Sequence, residues 1–312
     1  MESSVPIGDR QQRPADPRAQ IHIDTRRLRF RTRRKVDSLF AGEYESAFKG
    51  RGIEFAEVRE YEPGDDVRSI DWNVTARTGV PFVKQYVEER DLTIMLLADL
   101  SASESFGSTD RMKSRVIIEL CAALAMVADQ HNDRVGLAVF TDLVEHVVPP
   151  KKGPRHVVRL MHELLAFRPE HRGTNLAGAL AYARQALKRT AVVFLVSDCR
   201  DKGYEQQLRL LAQRHEVVCL HVIDPREQAL PAVGLVELED PETGETYLVD
   251  TDASMTRLAF EAAATSACAN TRRTIVRCHA DHVPIYTDRP FVPALVGYFR
   301  SRQAMGLRGR AS

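Results

Sequence analysis

Asp99-Leu100-Ser101-Ala102-Ser103 sets one carboxylate and two hydroxyls at spacings of two and four, directly behind the apolar run Ile94 to Ala98. Oxygen donors of this kind suit hard divalent cations such as Mg²⁺ or Mn²⁺. Two further polar clusters offer the same chemistry. Arg172-Gly173-Thr174-Asn175-Leu176 places Thr174 just before a helix, either as its N-cap or as an exposed ligand, and Ser197-Asp198 closes a second apolar run, Ala191 to Val196. If the strands that carry Asp99 and Asp198 are neighbours, then Asp99, Ser101, Ser103, Thr174 and Asp198 converge on one point. Mg²⁺ keeps waters or outside ligands instead of accepting a full protein cage, so neutral hydroxyls leave it open to one more acceptor. A partner's Glu or Asp would serve.

The elements that must position these groups follow from hydrophobic pattern. An uninterrupted apolar run of five or six residues reads as a strand buried on both faces, as in a parallel sheet covered by helices. Ligands bind at the C-terminal edge of such sheets. From Asp91 onward strand and helix patterns alternate: strand 92 to 99, a helix over Arg111 to His131, strand Arg134 to Phe140 and a weaker strand Val144 to Val148. Gly153-Pro154 opens a helix to about Phe167 with Val157, Leu160, Met161 and Leu164 inward, and Asn175 to Lys188 forms the next. Strand Ala191 to Val196, helix 204 to 214, strand Val217 to Ile223, a helix from Asp252 to Ala269 or beyond, strand 282 to 286 and a terminal helix 291 to 304 complete the series. Gly234 to Asp250 reads as an inserted hairpin, with turn chemistry at Asp240-Pro241-Glu242-Thr243-Gly244. The pattern implies an α/β fold with a doubly wound, mostly parallel, Rossmann-like sheet and right-handed crossovers.

Upstream, residues 1–20 have too little apolar surface to offset ordering entropy and read as a disordered tail. Seven of the ten residues from Arg26 to Lys35 are basic, while Leu28, Thr32, Val36, Leu39 and Phe40 mark a packed helical stripe. Such a run is more often a solvated helix face than a binding site. Between 48 and 91, Pro63-Gly64 signals a turn between half-buried strands, and Trp72 lies among Arg59, Asp65, Arg68, Asp71 and Arg77, a composition typical of an ion-pair network. Residues 21–90 thus form an N-terminal helical and β extension, 91–304 the main domain and 305–312 a tail.

The 312 residues carry a formal net charge of +1, which gives no global pull toward nucleic acid or membrane. Five cysteines without a CxxC pair suit reduced thiols, and the N-terminus has no apolar signal core. The longest apolar stretch, Cys121 to Ala128, is too short to span a bilayer, and the expected location is the cytoplasm. Cys278-His279-Ala280-Asp281-His282 reads as a helix end running into a strand rather than as a transition-metal site.

Asp99-Leu100-Ser101-Ala102-Ser103, Thr174 and Asp198 resemble, in order and topology, the metal-ion-dependent adhesion site of von Willebrand factor A domains, over residues 91–304. Upstream, Gly50 to Arg77, with Tyr61-Glu62-Pro63-Gly64-Asp65-Asp66 and Ile70-Asp71-Trp72, is similar to the signature of a bacterial family catalogued as domain of unknown function fifty-eight. That resemblance implies an A-like domain that works with a MoxR-type AAA+ ATPase in remodelling or assembling client proteins. It implies further that Ser101, Ser103 and Thr174 touch the metal, with Asp99 and Asp198 acting partly through water. Glu104 departs from the usual small or Met residue and either disfavours an acidic partner or takes the sixth position itself.

The leading expectation is a non-catalytic, divalent-metal-dependent interaction module, since no GxxxxGK[ST] loop is present for nucleotide hydrolysis. The alternatives are a Mg²⁺-dependent phosphohydrolase with Asp99 as nucleophile, although Ser101 stands where such enzymes want a second Asp, and nucleic-acid binding through Arg26 to Lys35, weakened by the lack of aromatics beyond Phe30.

Overall fold

A computed structural model describes residues 24–30, 32, 38–48, 58–62, 65, 70, 72–84, 91–105, 112–239 and 244–308. The two predicted tails, the Pro63-Gly64 turn, Arg68, Asp71 and the 240–243 turn lie wholly or largely outside them.

Six strands form the central sheet: β3 (Thr93–Asp99), β4 (Arg134–Phe140), β5 (Val144–Lys151), β6 (Val192–Ser197), β7 (Glu216–Ile223) and β10 (Asp281–Tyr286), in the order β10-β7-β6-β3-β4-β5. All neighbours are parallel except β4 with β5. The chain leaves β3 for β4 on one side and later returns to β6 on the other, so the order reverses between β3 and β6. That reversal is the crevice where doubly wound sheets bind ligands.

The apolar run of β3 is buried at each residue from Ile94 to Asp99, as continuous hydrophobicity requires when helices cover both faces. Ile94, Leu96 and Ala98 enter a core with α4 (Lys113–Gln130), α5 (Pro154–Ala166) and α9 (Val292–Arg308). Met95 and Leu97 face the opposite core, with α6 (Leu176–Ala186), α7 (Glu205–Ala212) and the end of α8 (Ser254–Arg277). The inward residues predicted for α5, namely Val157, Leu160, Met161 and Leu164, are all buried. The hairpin is present as β8 (Leu235–Glu239) and β9 (Thr246–Asp250), a two-stranded sheet apart from the main one.

Before the sheet come α1 (residues 24–30), α2 (Ser38–Phe48), β1 (Val58–Glu60), α3 (Trp72–Thr78) and β2 (Phe82–Lys84), with β1 and β2 antiparallel. Leu28, Thr32 and Phe40 are buried as their helical spacing implies. Trp72 opens α3 and 65% of it is exposed; among the described residues its helix packs against β2.

The α2 helix shares the main core. Tyr44, Phe48 and Phe299 meet in tilted and edge-to-face contacts at centroid distances of 5.2 to 5.8 Å, and the Tyr44 hydroxyl donates to Asp133 Oδ2 at 3.1 Å. Asp133 Oδ1 in turn accepts the Leu92 amide, which anchors the start of β3. Tyr44→Phe leaves a buried carboxylate one donor short, and we expect a loss of about 1–2 kcal/mol in urea unfolding with no change of fold by circular dichroism.

Candidate metal centre

Asp99 ends β3 and Ser197 ends β6, and the two strands are paired through Ala98 opposite Val196. Adjacency of the two carboxylate-bearing strands, the condition on which the site depends, is therefore met. Asp99 Oδ1 accepts from the Ser101 amide at 3.1 Å and the Ser101 hydroxyl at 2.6 Å, while Oδ2 accepts from the Ser197 hydroxyl at 2.7 Å. Ser101 and Ser103 hydroxyls lie 3.1 Å apart. The turn that carries them, a short 3₁₀ segment Ala102–Ser105, is pinned to the next cluster by the Ala102 amide donating to the Arg172 carbonyl at 3.0 Å.

Asn175, not Thr174, caps α6, its side chain accepting the Gly178 amide at 2.8 Å. Of the two roles left open for Thr174, capping is thus taken by its neighbour. Thr174 instead lines the same cleft as Ser103.

Glu104 turns inward. It is fully buried, its Oε1 accepts the Asp198 amide at 2.9 Å, and its Oε2 has no hydrogen bond. Asp99, Glu104 and Asp198 offer carboxylate oxygens all within 4.8 Å of one another. Beside them Lys113, the first residue of α4, is fully buried. Its ammonium donates to Asp198 Oδ2 at 2.8 Å and Glu227 Oε1 at 3.0 Å, and lies 3.8 Å from Glu104 Oε2. Arg200 approaches Glu227 at 3.7 Å.

Electrostatics follow from this crowding. Burial, with the Asp198 charge added, pushes Asp99 up to about 7 against the lowering effect of its hydroxyl donors. Burial and the same neighbour raise Glu104 well above the usual range despite Lys113. Burial alone would raise Asp198 too, yet the Lys113 ammonium and the Arg200 charge hold it below the ordinary carboxylate value. The three carboxylates raise Lys113, so it stays charged although buried.

The donor set fits a hard cation. Among the described residues, Asp99, Glu104, Asp198 and Glu227 face the cations Lys113 and Arg200, two positive charges against four negative when all are ionised. A buried carboxylate oxygen without a donor is costly. The orphaned Glu104 Oε2 is therefore the observation that favours a bound cation, and all neighbouring donors are oxygen.

Sequence reasoning left Glu104 either as a group that disfavours an acidic partner or as the sixth ligand itself, and it missed Lys113 and Glu227. Glu227 belongs to a 3₁₀ turn after β7, 114 residues from Lys113, and no spacing links the two.

The family described as protein of unknown function DUF58 matches residues 57–270, more than half of the chain. The chain belongs to that family. Relatives include uncharacterized proteins of Mycobacterium bovis and Mycobacterium tuberculosis, each 32% identical over 297 residues, 94% of this chain and 93% of the relative. Among solved structures the chain is similar to the conserved hypothetical protein BatB from Bacteroides thetaiotaomicron, at a TM-score of 0.47 and 15% identity over 69% of this chain and 99% of that one. It is also similar to the SpRpn10 VWA domain, at 0.38 and 16% over 66% and 94%. Among the described residues of this DUF58 protein no helix is long and apolar enough to cross a membrane.

Proposed function

We propose that the chain is a non-catalytic protein-interaction module whose docking depends on Mg²⁺ or Mn²⁺ and which works with a MoxR-type AAA+ ATPase on protein clients. The observation that carries the metal is the buried triad Asp99, Glu104 and Asp198 beside the paired hydroxyls of Ser101 and Ser103. Thr174, on the cleft side with Ser103, would complete the set. The bound ion would supply a Lewis-acidic point for a partner's carboxylate. The ATPase partner rests on the family resemblance alone, and its test is whether a purified MoxR-type ATPase is retained by the chain with Mg²⁺ and released by chelator.

Asp99 as a phosphohydrolase nucleophile is disfavoured by its surroundings. It is fully buried and both of its oxygens already accept hydrogen bonds, so neither is presented to a substrate. Nucleic-acid binding through Arg26, Arg27 and Arg29 would show as affinity that falls steeply with salt, and we expect a flat response.

Calorimetric titration with Mg²⁺ and Mn²⁺ tests the metal directly. We expect one site in the wild type, weakened at least tenfold, about 1.4 kcal/mol, by Asp99→Ala with Ser101→Ala. Absence of binding, or binding indifferent to those substitutions, removes the basis of the reading.

A further inference from the structure

The metal centre sits at one end of the sheet, and a different feature occupies the other. Helices α6, α7 and α8 deliver the chain to β6, β7 and β10 through the short connections 187–191, 213–215 and 278–280. Those strands are parallel neighbours in the order β10-β7-β6. The three helix C-termini therefore lie side by side along the edge where the strands begin. A strand of seven residues spans roughly 20 Å, so this edge lies that far from the end of β3 that bears Asp99.

The segments that form the edge are one-sided in charge. Residues 176–190, 206–215 and 262–280 hold eight Lys or Arg and no Asp or Glu, in a chain with 44 basic and 43 acidic residues. Lys188, Arg189, Arg214, Arg272, Arg273 and Arg277 are exposed, and none forms an ion pair among the described residues. Lys188 and Arg273 donate only to helix carbonyls and an amide nearby, at Gln185, Ala269 and Asn270. The acids at the strand starts are already engaged. Arg302 binds both Glu216, the first residue of β7, and Asp281, the first of β10, while Asp91, just before β3, meets Lys152 and Arg134. Glu205 opens α7 and Glu261 lies in the first half of α8, both toward the metal edge.

Compensation of helix dipoles explains part of this charge. Each C-terminus presents about half a negative charge, so three of them balance fewer than two of the six cations. The surplus faces solvent and repels itself until a polyanion meets it.

Shape and the side chains among the cations select the polyanion. The cations project from turns at the ends of adjacent strands, so they form a row along an edge instead of lining a groove. Proteins that hold single-stranded nucleic acid offer aromatic platforms for the bases. The exposed aromatics among the described residues, Phe30, Trp72 and Tyr247, belong to α1, α3 and β9, and none to this row. Val276, 55% exposed, sits among the cations of α8, four residues after Arg272, three after Arg273 and one before Arg277. An aliphatic side chain ringed by cations suits a lipid interface, where charge meets headgroup phosphate and the apolar tip enters the headgroup layer.

We propose that this edge is a peripheral docking surface for an anionic phospholipid bilayer, with Arg189, Arg214 and Arg277 binding headgroup phosphates from the three turns and Val276 seated among the headgroups. The metal centre then points away from the bilayer and stays open to a protein partner. The two surfaces act independently.

Co-sedimentation of the full chain with vesicles of phosphatidylglycerol and phosphatidylcholine in equal parts, against phosphatidylcholine alone, tests it. The chain should sediment with the anionic vesicles, stay in solution with the neutral ones, and be released in molar salt, where the screening length falls to about 3 Å. Neutralising the row with Arg189→Gln, Arg214→Gln and Arg277→Gln should cost about a hundredfold in partitioning, since each cation beside an anionic surface is worth about fivefold. The charge-keeping set Arg189→Lys, Arg214→Lys and Arg277→Lys should bind as wild type does. Lys202→Gln with Arg226→Gln, beside Ser103 at the metal edge, should change nothing. All variants should keep wild-type circular dichroism and Mg²⁺ titration, because the substituted side chains are exposed and unpaired. No sedimentation with anionic vesicles, or equal sedimentation of the neutralised set, overturns the proposal and leaves the metal reading untouched. A duplex oligonucleotide that binds through the same three arginines, with no vesicle binding, assigns the edge to nucleic acid and overturns the bilayer equally.

Discussion

Lys113→Met should destabilise the metal-depleted protein by about 3–5 kcal/mol, because removing one partner of a buried ion pair leaves the others uncompensated. The ammonium is fully buried against Asp198, Glu227 and Glu104, so no solvent rescues those carboxylates when it goes. The same substitution should strengthen divalent-cation binding. Lys113 and a metal ion draw on the same Asp198 and Glu104 oxygens, and a competitor fixed in the protein lowers the affinity of the ion that must share them. In thermal unfolding with and without millimolar Mg²⁺, the metal-induced rise in Tm should therefore be larger for Lys113→Met than for wild type, by linkage. If Mg²⁺ shifts neither protein, the triad holds no metal under those conditions.

Acid should weaken the fold through a second buried pair. His221 on β7 and His282 on β10 meet ring to ring, with Nδ1 and Nε2 at 3.1 Å. Burial and mutual repulsion push His221 down to about 4, with Arg200 and Lys113 adding to the effect and Asp198 opposing it. Burial, then Arg272, pushes His282 down to about 4 as well. Both imidazoles stay neutral in the folded chain while the unfolded chain protonates near the ordinary value of 6.5. Their contribution is thus fully present above pH 6.5 and is lost as pH falls toward 4. A shift of this size corresponds to about 3 kcal/mol for His221, and less for the more accessible His282. Asp99, raised to about 7, acts with the opposite sign, gaining its proton in the folded state first as pH falls. The difference between wild type and His221→Gln isolates the pair: urea midpoints should converge as pH drops from 7 to 4.5. Parallel curves across that range would show that His221 is not held neutral.

The fold was legible because its signals are local. The run Ile94 to Ala98 can only be buried on both faces, and β3 lies at the centre of the sheet. Apolar spacing in α5 and alternation in β8 translate residue by residue into burial, since periods of 3.6 and 2 are properties of the backbone. Strand adjacency carried the site. Doubly wound connections bring the ends of β3 and β6 together, so Asp99 and Asp198 converge from 99 residues apart.

Charge pairing was not legible in the same way. From sequence, Glu104 could either repel an acidic partner or take a place on the metal itself, and spacing does not choose between them. The short 3₁₀ turn rotates it inward, where its Oε1 accepts the Asp198 amide. Thr174 and Asn175 are equally good caps on paper, and the Asn175 side chain reaches the Gly178 amide.

By itself the amino-acid sequence determined the order of strands and helices, the oxygen chemistry at the end of β3 and the family to which the chain belongs, because each of these is written in neighbouring residues. Only the tertiary structure decided that Lys113, from the start of α4, and Glu227, from the turn after β7, close around Asp198. Which charges neutralise one another inside a protein depends on through-space distance in a medium that screens poorly, and spacing along the chain does not encode it.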